Sequence, residues 1–119
     1  MSNHYMTTEE QQKWDQVLKQ LQERFGIEPD LKAVLFLIGI RETGAGKKSY
    51  TKEQKEDFMN LAICKILSLS GYFSYKRTDE DGWPEWDQEK PFPRLELDEQ
   101  ESMLKSHVVK YFDEEAILE

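Results

Sequence analysis

The sequence predicts a mostly α-helical fold, a compact four-helix domain with a β-hairpin-like insertion before the last helix. Two observations predict the helices: apolar residues recur every three or four positions, and capping patterns precede these segments. A third predicts the insertion, because residues 72–94 are rich in aromatics, acids and prolines instead. All 119 residues are expected to form a single domain, with residues 1–6 and 113–119 flexible.

The first two helices have recognisable ends. Thr7 and Glu10 match a capping box, and Gly26 is expected to end the first helix. The second helix is expected to begin near Pro29 and to stop at Gly44. Its middle is apolar on all sides, which predicts that it is the central, most buried element. Because short apolar runs also fit strands, a strand remains the alternative for residues 34–38.

The third helix and the hairpin follow. Thr51 and Gln54 repeat the capping box, and a wide apolar face continues towards Gly71, so this helix is expected to pack on the second. Residues 72–77 and 83–87 have the composition of two strands around the turn signal Asp81-Gly82. Pro84 cannot donate a ladder hydrogen bond, which predicts an edge strand or an irregular hairpin.

The last helix is expected to open at residues 98–101, whose acids suit the positive end of a helix. His107 lies beside its apolar stripe, where a hydrogen-bonded, partly buried imidazole is favoured over a catalytic base.

Composition indicates a cytoplasmic protein outside the membrane. The single cysteine, Cys64, cannot form an internal disulfide and lies in an apolar stretch, which favours a reducing compartment. The first residues carry no apolar signal-peptide core, and the longest apolar run, residues 33–40, is far shorter than the ~20 residues that span a bilayer.

The net charge of −8 is unevenly distributed. Residues 1–71 hold 10 acidic and 10 basic side chains, whereas residues 72–119 hold 14 acidic and 6 basic ones. Such a field repels phosphate backbones, so nucleic acid is disfavoured as a partner and a basic protein surface is favoured.

The loop at residues 44–49 contains a partial phosphate-binding pattern. A full pattern needs glycine at position 41 and serine or threonine at position 48, where this sequence has Arg41 and Lys48. A solvated loop is therefore favoured. The alternative is an anion site, in a small enzyme or anion-binding protein, that uses Arg41, Lys47 and Lys48.

Metal, cofactor and catalytic sites are not expected. Residues 79–82 resemble the middle of a calcium loop, but its first ligand would be Arg77 and its twelfth Gln88, so a solvated turn is favoured. His4 and His107 lack metal-ligand spacing with Cys64 or with each other. No set of nucleophile, base and orienting acid is visible from the spacing.

Residues 72–92 hold six of the 14 aromatic residues and six acids, which suggests a recognition surface. The candidate binding residues are Tyr72, Tyr75, Asp79, Asp81, Trp83 and Trp86. The alternative is that these rings close the core beneath the hairpin, and both can hold if the two hairpin faces differ.

Three stretches, FGIEPDLKAVLFLIGIRE, DEDGWPEW and EQESMLKSHVVKYF, resemble a group of small, conserved, uncharacterised bacterial proteins over most of residues 8–112. The resemblance implies a bacterial cytosolic protein and no particular activity.

The sequence thus favours a non-enzymatic protein-interaction module that uses residues 72–94 to bind a protein partner or a second copy of itself, as a possible homodimer. A small enzyme with a pocket between the loop at residues 44–49 and the hairpin, drawing on Arg41, Lys47 and His107, is one alternative. An acidic inhibitor or immunity-type protein, which would occupy a basic site on its target, is the other.

Overall fold

The structure, a computed structural model, describes residues 5–26, 29–46 and 49–115. Over these residues it has four helices and one antiparallel hairpin before the last helix, which confirms the fold class. The elements are α1 (Thr8–Phe25), α2 (Leu31–Thr43), α3 (Lys52–Ser68), β1 (Phe73–Thr78), β2 (Pro84–Gln88) and α4 (Leu97–Glu114). They form two units, one of Met1–Asp30 with Pro93–Glu119 and one of Leu31–Phe92.

In the first unit, α1 begins and ends at the predicted residues. The Thr7 hydroxyl accepts from the Glu10 amide at 3.1 Å, and the Glu10 carboxylate accepts from the Thr7 amide at 2.9 Å, which completes the capping box. Gly26 ends the helix with a φ of +67°, and its N–H donates to the Gln22 carbonyl oxygen at 2.8 Å.

Helix α4 packs against α1 in this unit. It begins at Leu97, one residue before the predicted start, and continues through Asp113 to Glu114. Asp113 pairs with Lys13 of α1 at 2.9 Å, and this hydrogen bond raises the pKa of Lys13. The buried apolar side chains of the two helices are Trp14, Val17, Leu21, Met103, Val108, Val109, Tyr111 and Phe112.

In the second unit, α2 lies against α3, and residues 34–38 are helical as favoured over a strand. Helix α2 begins at Leu31, two residues after Pro29, near which it was expected; it follows Asp30, a residue type that suits the position before a helix. Leu37 and Ile40 keep intermediate exposure, so α2 shares the core with α3 and is not its buried centre alone. Gly44, with a φ of +69°, follows its last residue.

Helix α3 opens at the predicted Thr51–Gln54 capping box. Beyond Ser68 the chain makes one tighter turn, and Gly71 follows with a φ of +80°. The Gly71 N–H donates to the Ser68 carbonyl and the Tyr72 N–H to the Leu67 carbonyl, at 3.0 and 3.2 Å. This pair of bonds is a Schellman motif, so Gly71 stops the helix as predicted.

The hairpin accommodates Pro84 through its register. The backbone N–H of Asp79 donates to the Trp83 carbonyl oxygen at 2.9 Å. In an antiparallel pair, hydrogen-bonded and non-hydrogen-bonded positions alternate, so the adjacent pair Thr78–Pro84 needs no cross-strand hydrogen bond. The register shifts by one residue at Lys76, which forms a bulge. A two-stranded sheet consists of two edges, so the prediction of an edge strand or an irregular hairpin holds in both respects.

Helices α2 and α3 approach each other closely at Gly39. A Cβ atom on Gly39 would overlap the backbone carbonyl of Phe58 and come within 2.8 Å of the Phe58 Cβ. Because glycine has no side chain, the two helix backbones can touch here. Phe58 is only 6% exposed.

No helix among residues 5–26, 29–46 and 49–115 is long and apolar enough to cross a membrane.

Replacing Gly39 with alanine is expected to lower the free energy of unfolding by about 1–2 kcal/mol, because the overlap with backbone atoms outweighs the better helix propensity of alanine. Urea denaturation measures this change. Gly46→Ala is the control, since a Cβ there meets nothing within 4 Å and the φ is not positive. An equal effect of both substitutions would contradict the close-packing interpretation.

Candidate interaction site

The turn between the strands holds Trp83 in place. Residues 79–82 form a turn that is closed by the Gly82 N–H, which donates to the Asp79 carbonyl oxygen at 3.1 Å. Gly82 has a φ of +84°. The Asp79 carboxylate also accepts from the backbone N–H groups of Asp81 and Trp83, each at 2.9 Å. Asp79 therefore has a structural role in the turn, in addition to any contribution to binding.

Trp83 connects the hairpin to α3. Its ring lies 5.2 Å from the ring of Phe58, which also contacts Tyr50 at 5.1 Å and Phe36 at 5.8 Å. The Tyr50 and Phe36 rings meet edge to face at 5.6 Å. Trp83 keeps intermediate exposure, so it serves the core on one side and faces solvent on the other.

Tyr75 and Trp86 form the outer aromatic pair. They are cross-strand partners, and their rings meet edge to face at 5.9 Å. Tyr75 is 57% exposed, and its hydroxyl lies 2.5 Å from that of Thr78. The indole N–H of Trp86 is buried and finds no acceptor among the described residues.

Tyr72 lies at the base of the hairpin. Its ring is 5.7 Å from that of Phe92, and the Lys90 ammonium lies 4.3 Å above it. The Phe73 ring is also 5.7 Å from Phe92. None of the six aromatic residues of the segment 72–92 is fully buried. Trp83, which packs on Phe58, fits the interpretation that these rings close the core, whereas Tyr75 fits an exposed binding surface.

Some acids of the hairpin have an ion-pair partner among the described residues, and Asp81 has none. Glu85 pairs with Arg77 at 2.9 Å and raises the pKa of that guanidinium, and Asp87 lies 4.0 Å from Lys76. Asp81 has no ion-pair or side-chain hydrogen-bond partner among the described residues. The same holds for Asp57 of α3.

Two neighbouring cavities lie between α3 and the hairpin. The first, here called the loop cavity, has a volume of about 350 Å³; the second, the strand groove, has about 680 Å³. The loop cavity is lined by Thr43, Ala45, Gly46, Tyr50, Gln54, Asp57, Phe58, Asp81, Gly82 and Trp83. The strand groove is lined by Asp57, Asn60, Leu61, Cys64, Lys76, Trp83, Pro84, Glu85, Trp86 and Asp87. Asp57 and Trp83 line both, so the two cavities adjoin at these residues.

The loop cavity lies where the enzyme alternative places its pocket, between the glycine loop and the hairpin. Its described lining includes two carboxylates and no basic side chain, and Arg41 is not part of it. Lys47 and Lys48 lie outside the described residues. Arg41 is at the end of α2, with its guanidinium 3.4 Å from the Glu42 carboxylate. The anion site therefore stays a prediction.

His107 belongs to α4 in the other unit. It is partly buried, and its Nδ1 lies 2.7 Å from the Met103 carbonyl oxygen, so Nδ1 carries the proton and donates. Burial lowers the pKa of His107 below its ordinary 6.5, against the opposing effect of that hydrogen bond. The structure thus gives His107 the hydrogen-bonded, partly buried imidazole that the sequence favours.

Among the described residues, no three His, Cys, Asp or Glu side chains are grouped as a metal site would require. Cys64 is half-buried in the lining of the strand groove, and burial raises the pKa of its thiol. A raised pKa makes the thiol slow to react at neutral pH.

Sequence reasoning found the hairpin side of this site and missed the helix side. Asp57, Asn60 and Cys64 line the cavities from α3, and Tyr50 lines one from the segment before it. Their spacing could have placed Asp57, Asn60 and Cys64 on one face of α3. It could not show that the hairpin lies over that face.

No protein-family model, curated protein or solved structure matches the chain. The resemblance to small bacterial proteins stays a prediction.

Replacing Asp79 with alanine is expected to lower the free energy of unfolding by about 1 kcal/mol, because two backbone N–H groups in the turn lose their acceptor. Asp79→Asn keeps an oxygen acceptor and should stay within about 0.5 kcal/mol of the wild type. Urea denaturation of both variants separates the hydrogen-bonding role from the charge. Equal loss in both would mean that charge, and not the turn, is what Asp79 contributes.

Stability is expected to fall as the pH drops from 7.5 to 5.5. Because the pKa of His107 is lower in the folded protein, the unfolded chain binds the proton first, and protonation then favours unfolding. The contribution is complete above about pH 6.5 and is lost progressively as the pH falls towards the folded-state pKa. Denaturant unfolding at both pH values should show a smaller drop for His107→Gln. An unchanged drop would assign the effect to other groups.

Proposed function

We propose that this chain is a cytoplasmic, non-enzymatic protein-interaction module that binds a partner protein through the hairpin and the cavities beside it. The main support is the cross-strand pair of Tyr75, which is exposed, and Trp86, which is half-buried and lines the strand groove. Tyrosine and tryptophan contribute the largest share of binding energy at many interfaces, provided that surrounding groups exclude water.

The charges around this pair favour a basic partner. Glu85 and Asp87 line the groove from β2 and Asp57 lines it from α3, against one described basic side chain, Lys76. A surface of this sign attracts lysine and arginine and repels phosphate backbones. A bacterial origin would fit the resemblance of the sequence.

A basic partner is a better occupant than a second copy joined strand to strand. Pro84 removes one donor from β2, and the bulge at Lys76 interrupts β1. Both features discourage the addition of a further strand. A homodimer would also bring two chains of net charge −8 together.

An acidic inhibitor is a specific form of the same proposal. It is favoured by the carboxylates of Asp57 and Asp81, which have no ion-pair partner among residues 5–26, 29–46 and 49–115 and which line one cavity from two different elements. Such an inhibitor would release its target as the salt concentration rises, because electrostatic attraction between exposed groups is screened.

The experiment is affinity capture from a lysate of the source organism with three bait proteins. The baits are the wild type, Tyr75→Ala and Phe25→Ala; Phe25 is an exposed aromatic of the other unit, 53% exposed against 57% for Tyr75. The wild type and Phe25→Ala should recover the same protein at roughly 0.05 M salt, and less of it at roughly 0.5 M. Tyr75→Ala should bind it about tenfold more weakly.

Equal recovery by Tyr75→Ala would refute the proposed surface. If only the chain itself is recovered, sedimentation of the wild type and Tyr75→Ala decides the outcome. A dimer that Tyr75→Ala dissociates would support self-association through this face, and two monomers would refute an interaction role for it.

A further inference from the structure

We propose that the loop cavity binds the cationic end group of a lysine or arginine side chain that the partner inserts beside Trp83. This inference rests on the proposed function and names the chemical group that the cavity recognises. It follows from the walls of the cavity, from its two carboxylates that have no ion-pair partner among the described residues, from its size and from the residues that it shares with the strand groove.

The walls are aromatic. Trp83, Phe58 and Tyr50 all line the loop cavity, and the rings of Trp83 and Tyr50 each lie within 5.2 Å of the ring of Phe58. Ring faces attract ammonium and guanidinium groups, with tryptophan the strongest of the three. The molecule already contains such a contact, because the Lys90 ammonium lies 4.3 Å above Tyr72.

Two carboxylates line the cavity together with these rings. Asp57 reaches the cavity from α3 and Asp81 from the hairpin turn. Neither has an ion-pair partner among the described residues, whereas Glu85 and Asp87 are paired with Arg77 and Lys76. The described lining also holds no basic side chain. The cavity thus has two negative charges without a described counter-charge, which is complementary to a cation.

The size of the cavity fits one side chain. A volume of about 350 Å³ is at the lower end of the range for small-ligand pockets. It accommodates a guanidinium or ammonium group with its methylene stem, which can lie along the apolar rings. A second copy of the chain cannot insert a folded element into this space.

The source of the cation follows from the neighbouring groove. Because Asp57 and Trp83 line both cavities, the two adjoin, and we place the rest of a bound peptide in the strand groove beside Leu61 and Pro84. A free amine or guanidine would use the loop cavity and leave the groove of about 680 Å³ empty. We therefore assign the cation to a partner side chain.

The test is a titration of the ¹⁵N-labelled protein, followed by the indole N–H signals in two-dimensional NMR spectra. The probes are n-propylguanidinium chloride, its neutral analogue N-propylurea, and two capped peptides, acetyl-Leu-Gly-Arg-Gly-Leu-amide and the same peptide with citrulline for arginine. The guanidinium and the arginine peptide should shift the Trp83 signal in a saturable way, and the arginine peptide should bind at least about fivefold more tightly. The urea and the citrulline peptide should not. The signal of Trp14, 3% exposed in the other unit, serves as the internal reference.

Charge-removing variants locate the site. Asp57→Asn and Asp81→Asn should each weaken binding of the arginine peptide by about fivefold. Glu56→Gln removes the same charge from an exposed position of α3 outside the lining and should leave the affinity within about twofold. Far-ultraviolet circular dichroism of each variant checks that the helices are retained.

The outcomes separate this inference from the proposed function. Equal binding of the neutral probes, no saturable shift of Trp83, or equal loss in Glu56→Gln would overturn the cation cavity. If the partner is still captured in a Tyr75-dependent manner, the proposed function survives that result. Equal affinity for n-propylguanidinium and the arginine peptide would overturn the assignment to a partner side chain and indicate a free organic cation instead.

Discussion

The aromatic cluster of the second unit, and with it the position of the hairpin, depends on the close contact between Gly39 and Phe58. Since glycine lets the backbones of α2 and α3 touch, Phe58 is held in the core between them. Its ring is the common neighbour of Phe36, Tyr50 and Trp83. The hairpin is attached to the helices through this aromatic cluster, so the cavities on either side of Trp83 depend on how closely two helices approach.

A second constraint is the way in which the hairpin distributes its acids. Asp79 uses its carboxylate to hold the turn, and Glu85 has a cationic neighbour in Arg77. The Arg77–Glu85 ion pair is largely exposed, so it contributes little to stability. Asp81 and Asp57 have no such partner among the described residues, and both face the cavity beside Trp83. One acid from residues 72–119, Asp81, therefore shares a cavity with Asp57, an acid of the electrically balanced part of the chain.

The fold was largely predictable because its signals are local. A capping box involves residues three apart, so Thr7 with Glu10 and Thr51 with Gln54 could be recognised directly and are formed as predicted. Gly71 ends α3 for a similar reason, since only its own backbone conformation is needed. The start of α2 was predicted only as near Pro29 and lies at Leu31, because proline is tolerated in a first turn but does not fix where the helix begins.

The candidate site was half predictable. The aromatic and acidic composition of residues 72–92 indicated a surface, and Tyr75 is exposed as a binding residue should be. Sequence reasoning could not assign Trp83 to the core side or to the surface side, since it occupies both roles. It also did not select Asp57, because only the folded structure shows that Asp57 lines the same cavity as Asp81 of the hairpin turn.

The sequence by itself determined the helices, their caps, the hairpin and the uneven charge, because each depends on residues close together along the chain. Only the tertiary structure decided that Gly39 is a contact between helices, that Phe58 supports Trp83, and that Asp57 and Asp81 line one cavity. The physical reason is that these relations join residues far apart in sequence. They are set by close packing of α3 against α2 and the hairpin, and local spacing carries no information about that packing.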